Sequence, residues 1–188
     1  MKVPADLAGA LRKALDGFGK RHPEGIDAYV ANKMGWTMAE LEDGRVDGSQ
    51  VDTIGMVIEK IDDKTGFIIG SQTGAGKGRS LAAIMIYHIQ QGRIPIFVTA
   101  QAKLFTDIWR DIKDVVGDSL VQPLIFNKYK APKSSNDLDE DAFSIPDDKI
   151  LPSQALKTAL NTRKMPAAGT THGKANAVFL TYSQLQST

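Results

Sequence analysis

The chain of 188 residues is 42% hydrophobic and carries 23 basic against 22 acidic side chains, a net charge of +1. This length and composition fit one domain with a packed core, and the charge neither demands nor excludes a nucleic-acid partner. The absence of cysteine excludes disulfides, thiolate zinc sites and a cysteine nucleophile. No apolar run approaches the roughly 20 residues of a membrane span and no signal peptide opens the chain, so we expect a soluble, cytoplasmic protein with no membrane partner.

The first part of the chain is predicted to be helical. Apolar residues at helical spacing predict an amphipathic helix over residues 5–19, and a second helix over residues 26–34 ends at Gly35. With a short third helix, they make residues 1–48 a helical N-terminal region.

Two capping residues are predicted for the helices that follow. Thr37 begins the short third helix, and Glu40 stands three residues later, which is the spacing of a capping box. Ser49 is the predicted N-cap of a fourth helix. The buried face of that helix is predicted to consist of Ile54, Val57, Ile58 and Ile61.

A glycine-rich turn between an apolar run and a helix is the most informative segment. Residues 66–69 are predicted to form a buried parallel strand, and a helix of about fifteen residues after the turn ends at Gly92. This context is typical of a phosphate-binding P-loop, in which backbone N–H groups, the helix dipole and Lys77 hold the phosphates. The predicted nucleotide-binding residues are Gln72, Thr73, Gly74, Ala75, Gly76, Lys77, Gly78 and Arg79.

The loop departs from the usual pattern, which is Gly, four residues, Gly-Lys and then Ser or Thr. Ser71 stands in place of the first glycine, and Gly78 replaces the hydroxyl residue that normally ligates magnesium. Ser80 is the nearest hydroxyl, but two residues further along a helix it points elsewhere. The metal would then need water or another side chain. The alternative interpretation is a structural strand-to-helix turn with an exposed lysine.

Strands and helices alternate after the P-loop. The predicted strands are residues 94–99, 121–126 and 176–181, and the predicted helices are residues 101–116 and 153–162. Residues 128–150 are polar, acidic in the middle, and predicted to form a long loop. The alternation predicts an α/β fold with a parallel sheet and helices on both faces.

Polar residues at a helix start and at strand ends are candidates for ligand contacts. Gln50 opens the helix before the P-loop strand, and its amide suits the edge of adenine, with a solvated glutamine as the alternative. Thr99, Thr181 and Ser183 stand at the carboxyl ends of predicted strands, where hydroxyls could hold phosphates of a nucleic-acid strand. Helix capping is the alternative role for Thr99 and Thr181.

No metal site is predicted from side chains. The acidic run 137–141 follows polar residues instead of ending an apolar strand, as a Walker B aspartate should, so it is interpreted as a solvated loop. His22, His88 and His172 lie far apart in the sequence and have no metal-ligand spacing.

Residues 66–79 resemble motif I of the strawberry notch-type helicases, a branch of superfamily 2 in which Gly-Arg follows the lysine, as it does here. Three further segments resemble the motif Ia region, the Thr-Tyr-Ser-x-Leu motif and the glutamine motif of that family: residues 94–111, 178–185 and 50–52, respectively. Ser71 departs from the family's usual aspartate. The resemblance covers residues 38–188 without the insert at 128–176.

The resemblance implies an ATPase that acts on nucleic acid, DNA more than RNA, with ATP and Mg²⁺ as cofactors. Residues 49–188 would form a partial RecA-like P-loop domain. Lys77 would bind the β and γ phosphates and so serve catalysis, and Gln50 would contact the adenine. The residues implied to contact the strand backbone are Thr99, Thr181 and Ser183.

Enzymes of this kind hold ATP between two RecA-like lobes, with an Asp-Glu box for magnesium after the Thr-Tyr-Ser strand and an arginine finger on the second lobe. Neither the box nor the second lobe is found in these 188 residues. We therefore expect a truncated part of a larger helicase of bacterial or phage origin, with the missing lobe as its partner. Weak nucleotide binding and inefficient hydrolysis are expected of it.

Two other classes of protein stay open. A small nucleotide kinase or P-loop switch protein would have Ser or Thr after Lys77 and an acidic strand end, and both are missing. A non-catalytic DNA-binding module would use residues 29–41, where Gly35 separates short helices in the manner of a helix-turn-helix, although few basic residues lie there.

Overall fold

The computed structural model describes residues 5–70, 76–117, 120–125, 158, 161–162 and 175–186, without the side chains of residues 5–7. The chain divides into two compact units, Met1–Tyr87 and His88–Thr188, and each is described by itself. The loop predicted at residues 128–150 and most of the helix predicted at residues 153–162 lie outside the described residues. The domain boundary predicted after residue 48 stays a prediction.

Helices build the first unit. They are α1 (Ala5–Arg21), α2 (Ile26–Met34), α3 (Met38–Glu40), α4 (Gly48–Asp62) and α5 (Lys77–Gln90), whose last residues belong to the second unit. The helices predicted over residues 5–19 and 26–34 are confirmed. None of the helices in the described part of the chain is long and apolar enough to cross a membrane.

Side-chain caps define where α3 and α4 begin. The Thr37 hydroxyl accepts from the Glu40 N–H at 3.2 Å, and the Glu40 carboxylate accepts from the Thr37 N–H at 2.9 Å, so the predicted capping box is confirmed. The prediction of Ser49 as the cap of α4 is wrong. Asp47 is the cap, because its carboxylate accepts from the Gln50 N–H at 2.9 Å, while Ser49 donates its hydroxyl to the same carboxylate.

The core of the first unit lies between α2 and α4. Val30 of α2 and Ile54 and Ile58 of α4 are fully buried. Gly55 allows the two helices to approach closely, since a Cβ there would lie 2.5 Å from Cγ1 of Ile26.

The second unit contains a parallel sheet of three strands in the order β1-β3-β2. The strands are β1 (Ile96–Thr99), β2 (Pro123–Ile125) and β3 (Ala177–Thr181), with helices α6 (Leu104–Val116) after β1 and α7 (Tyr182–Gln186) after β3. All of β3 is buried, as expected of a central parallel strand. The strands predicted near residues 94–99, 121–126 and 176–181 and the helix near 101–116 are confirmed with shorter bounds.

Residues 66–69 do not form the predicted strand. Ile68 is 91% exposed, and none of the described strands pairs with this segment. An apolar sequence favours burial, but a segment becomes a strand only when it forms hydrogen bonds to a neighbouring strand. The sequence of residues 66–69 does not determine whether such a neighbour is present.

Candidate nucleotide-binding site

The P-loop joins α5 at Gly76 and Lys77. Gly76 has φ 67°, a left-handed conformation that favours glycine. Its carbonyl accepts from the N–H groups of Arg79 at 3.1 Å and Ser80 at 3.5 Å, so Gly76 caps α5 and Lys77 is the first helical residue. The first N–H groups of a helix lack acceptors within it and, with the helix dipole, favour a bound anion.

Gln50 reaches the same glycine from α4. Its Nε2 donates to the Gly76 carbonyl at 3.1 Å, and its Oε1 accepts from the Asp47 N–H at 2.8 Å, which completes the capping box of α4. The Gln50 side chain is buried, and the residue is only 5% exposed. The structure thus brings Gln50 against the P-loop backbone, while its contact with adenine stays a prediction.

The remaining predicted P-loop residues are only partly described. Gln72, Thr73, Gly74 and Ala75 lie outside the described residues. Gly78 and Arg79 lie in the first turn of α5, half-buried, and Ser80 is buried.

The carboxyl edge of the sheet brings together the three residues predicted to contact nucleic acid. Thr99 of β1 and Thr181 of β3 are partners in the parallel register, and both are buried. The Thr181 hydroxyl lies 3.0 Å from Ser183 Oγ and 3.2 Å from Gln184 Oε1, which also accepts from the Thr181 N–H at 2.8 Å. The Thr181 hydroxyl thus bonds neighbouring side chains, and Ser183 is exposed at the same edge.

Sequence reasoning missed an ion cluster in the first unit, in which Glu59 is buried and Arg21 is exposed. Glu59, on the apolar face of α4, accepts from Arg21 Nε at 2.7 Å and Nη2 at 2.8 Å, and its Oε1 lies 3.0 Å from His22 Nε2. The hydrogen bonds from Arg21 hold the pKa of Glu59 below its ordinary value, against the opposing effect of burial. The sequence signal for this cluster is Glu59 itself, a charged residue among the apolar residues of α4.

A second polar cluster joins α2, α4 and α5. The Asp62 carboxylate accepts from Lys33 Nζ at 2.6 Å and from the Tyr87 hydroxyl at 2.6 Å. Burial, together with the negative charge of Asp62, raises the pKa of Tyr29 to about 12.

The sequence, compared with known protein families, matches the family described as P-loop containing NTP hydrolase pore-1 over residues 30–188. The chain belongs to this family. Together with the parallel sheet and the junction of P-loop and helix, the match defines an α/β domain of the RecA-like P-loop NTP hydrolase class.

The chain is also similar to Protein strawberry notch of Drosophila melanogaster, with 26% identity over 139 residues. The alignment covers 64% of this chain and 8% of the fly protein, so the chain spans only a small part of that relative. The resemblance to the strawberry notch-type proteins is confirmed. No solved structure matches the chain.

The family implies a nucleotide and, in general, a divalent metal ion. The described residues fit the nucleotide phosphates, because Gly76 and the start of α5 have the geometry of a phosphate-binding junction. They do not fit the usual magnesium ligand, because Gly78 has no side chain to offer. Within the described ranges, no group of three histidine or acidic side chains could hold a metal ion.

Proposed function

We propose that this chain is the ATP-binding lobe of a nucleic-acid-dependent ATPase of the superfamily 2 helicase class. The junction at Gly76 and Lys77 carries the proposal, because it places a lysine at the first position of a helix that begins after a left-handed glycine. The family match over residues 30–188 supports it.

In this proposal, Lys77 binds the β and γ phosphates as a mobile positive charge, and the first N–H groups of α5 bind phosphate oxygens. Gly78 has no side chain that would keep a phosphate away from the helix start. The adjacent Arg79 adds positive charge in the same turn.

Binding of a fluorescent ATP analogue to the wild-type chain and to Lys77→Ala tests the proposal, with and without magnesium. We expect the substitution to weaken binding at least about tenfold, or about 1.4 kcal/mol, because it removes the charge opposite the phosphates. Lys13→Ala, at an exposed position of α1, is the matched control and should bind as the wild type does. Equal binding by wild type and Lys77→Ala would contradict the proposal.

We further propose that the edge formed by Thr99, Thr181 and Ser183 contacts the phosphate backbone of a nucleic-acid strand, with Ser183 as its exposed hydroxyl and with DNA preferred to RNA. The register of β1 and β3 supports it, since ligands of parallel sheets bind beyond the carboxyl ends of the strands.

Fluorescence anisotropy with single-stranded DNA and RNA of the same sequence tests the proposed nucleic-acid contact. Ser183→Asp should weaken binding several-fold, because its charge repels phosphates, and the wild type should bind more weakly as salt rises. Gln91→Asp puts the same charge on an exposed residue away from the strand ends and should have little effect. Equal weakening by both variants would indicate a nonspecific charge effect and contradict a contact at this edge.

A further inference from the structure

We infer that Gln50 is a positioning residue for the P-loop and that the site selects nucleoside triphosphates by their phosphates, with little discrimination between adenine and guanine. The inference rests on the proposed nucleotide site, and it gives Gln50 a role that differs from contact with adenine. Its basis is the pair of hydrogen bonds that hold the Gln50 amide.

The Gly76 carbonyl receives three donors: Gln50 Nε2 and the N–H groups of Arg79 and Ser80. The two backbone donors belong to α5 itself, whereas Gln50 comes from α4, 26 residues earlier. The third donor therefore ties the direction of this carbonyl to a second helix, α4.

The direction of that carbonyl controls a donor of the phosphate site. In a planar trans peptide the N–H points opposite to the C=O, so the orientation of the Gly76 carbonyl sets that of the Lys77 N–H. Gln50 restrains the carbonyl and thereby restrains the peptide that opens α5. A preoriented donor binds an anion without first losing backbone freedom.

The fit between Gln50 and Gly76 is close. A Cβ at position 76 would lie 2.0 Å from Gln50 Nε2 and 3.2 Å from its Cδ. The space beside Gly76 is thus occupied by the glutamine amide, and the residue at position 76 has to be glycine both for its backbone angle and for this contact.

The bonding of the amide argues against base recognition. A glutamine amide offers two N–H donors and an oxygen with two lone pairs, and one donor and one lone pair are bonded to Gly76 and Asp47. The residue is only 5% exposed, so the rest of the amide is not open to a ligand. Contact with adenine would therefore require the amide to leave its buried position, at the expense of its bonds to Asp47 and Gly76, and this exchange would give little net preference for one base.

Two substitutions distinguish the hydrogen bond from Gln50 to Gly76 from its bond to Asp47. Gln50→Glu keeps an acceptor for the Asp47 N–H, as in a standard capping box, but has no donor for the Gly76 carbonyl. Gln50→Met is uncharged, has a similar volume and makes neither bond. Gln91→Glu, at an exposed position, is the matched control.

The affinities of these variants of the 188-residue chain for fluorescent ATP and GTP analogues test the inference, with thermal unfolding as a check of folding. We expect wild type to bind both nucleotides with similar affinity. Gln50→Glu and Gln50→Met should weaken both by the same factor, about tenfold. Gln50→Glu keeps the cap but buries a carboxylate beside the Gly76 carbonyl, so its melting temperature should fall below that of wild type, and the titration is done at a temperature where the variant is folded.

Three results would overturn the inference. A loss of ATP affinity alone would make Gln50 a base reader, unchanged affinities would remove it from the site, and a loss confined to Gln50→Glu would indicate charge repulsion. If wild type bound neither nucleotide, the proposed function itself would fail. Amide hydrogen exchange at residues 77–80 then decides the positioning role without any ligand: faster exchange in Gln50→Glu supports it, and unchanged exchange refutes it.

Discussion

At the scale of single residues, position 76 requires glycine for two independent reasons. Its φ of 67° strains any L-residue, and a side chain there would collide with the Gln50 amide. Gly76→Ala should therefore weaken nucleotide binding, with about 1–2 kcal/mol of strain at the start of α5. Titration of the variant with the fluorescent ATP analogue measures the loss.

A double-mutant cycle separates the two requirements. Gln50→Ala removes the amide that a methyl group introduced at position 76 would strike, so the double variant should lose less than the sum of the single losses. Gly70→Ala, where a Cβ would meet nothing within 4 Å, is the control for the substitution itself. Additive losses would show that Gln50 and Gly76 do not interact.

At the scale of elements, the contact between α2 and α4 depends on Gly55. Gly55→Ala should destabilise the protein by about 1–2 kcal/mol, because overpacking against Ile26 outweighs the better helix propensity of alanine. Gly9→Ala, in α1 with nothing within 4 Å of a Cβ, should instead stabilise by up to about 1 kcal/mol. Urea unfolding of both variants measures the difference, and stabilisation by both would refute the close contact.

The ion pair between Arg21 of α1 and Glu59 of α4 makes the stability of the protein depend on pH. The folded-state pKa of Glu59 is lower than its ordinary value of 4.5, so its ionised form is favoured by folding. The contribution of Glu59 to stability is therefore full above about pH 4.5 and is lost as the pH falls through the lower folded-state pKa.

Glu59→Gln tests this link. At pH 7 the variant should be less stable than wild type, because it loses the ion pair with Arg21. The loss should be only about 1–2 kcal/mol, because the Arg21 side chain is partly exposed and solvent screens the pair. The difference should shrink at pH 3. Glu24→Gln, which changes an exposed carboxylate 3.6 Å from His22, should have a smaller effect. A difference of the same size at both pH values would contradict the assignment.

At the scale of the whole molecule, the P-loop lysine is followed by Gly78, which has no side chain to offer to magnesium. Phosphoryl transfer depends on positioned metal and added positive charge as well as on bound phosphates. We expect the chain to bind ATP but to release phosphate no faster than Lys77→Ala does, with single-stranded DNA present or absent. Robust release that depends on Lys77 would contradict this expectation.

Much of the fold is encoded locally and could be predicted from the sequence. The apolar spacing predicted α1 and α2, and the capping box of Thr37 and Glu40 was predicted because both partners lie within one helical turn. The cap of α4 is Asp47 and not the predicted Ser49 for a related reason: Asp47, Gly48 and Ser49 are all good N-cap residues, and only the backbone geometry selects Asp47.

The P-loop and the membership of an NTP hydrolase family were determined by the sequence alone, because a phosphate site made from backbone groups needs glycines and a lysine within one short segment. Tertiary structure decided three other features: the bond from Gln50 to Gly76, the ion pair of the buried Glu59 with the exposed Arg21, and the register that joins Thr99 to Thr181. It also decided that residues 66–69 have no strand partner in the described sheet. These features depend on residues far apart in the chain, whose proximity is fixed only by packing of whole helices and strands.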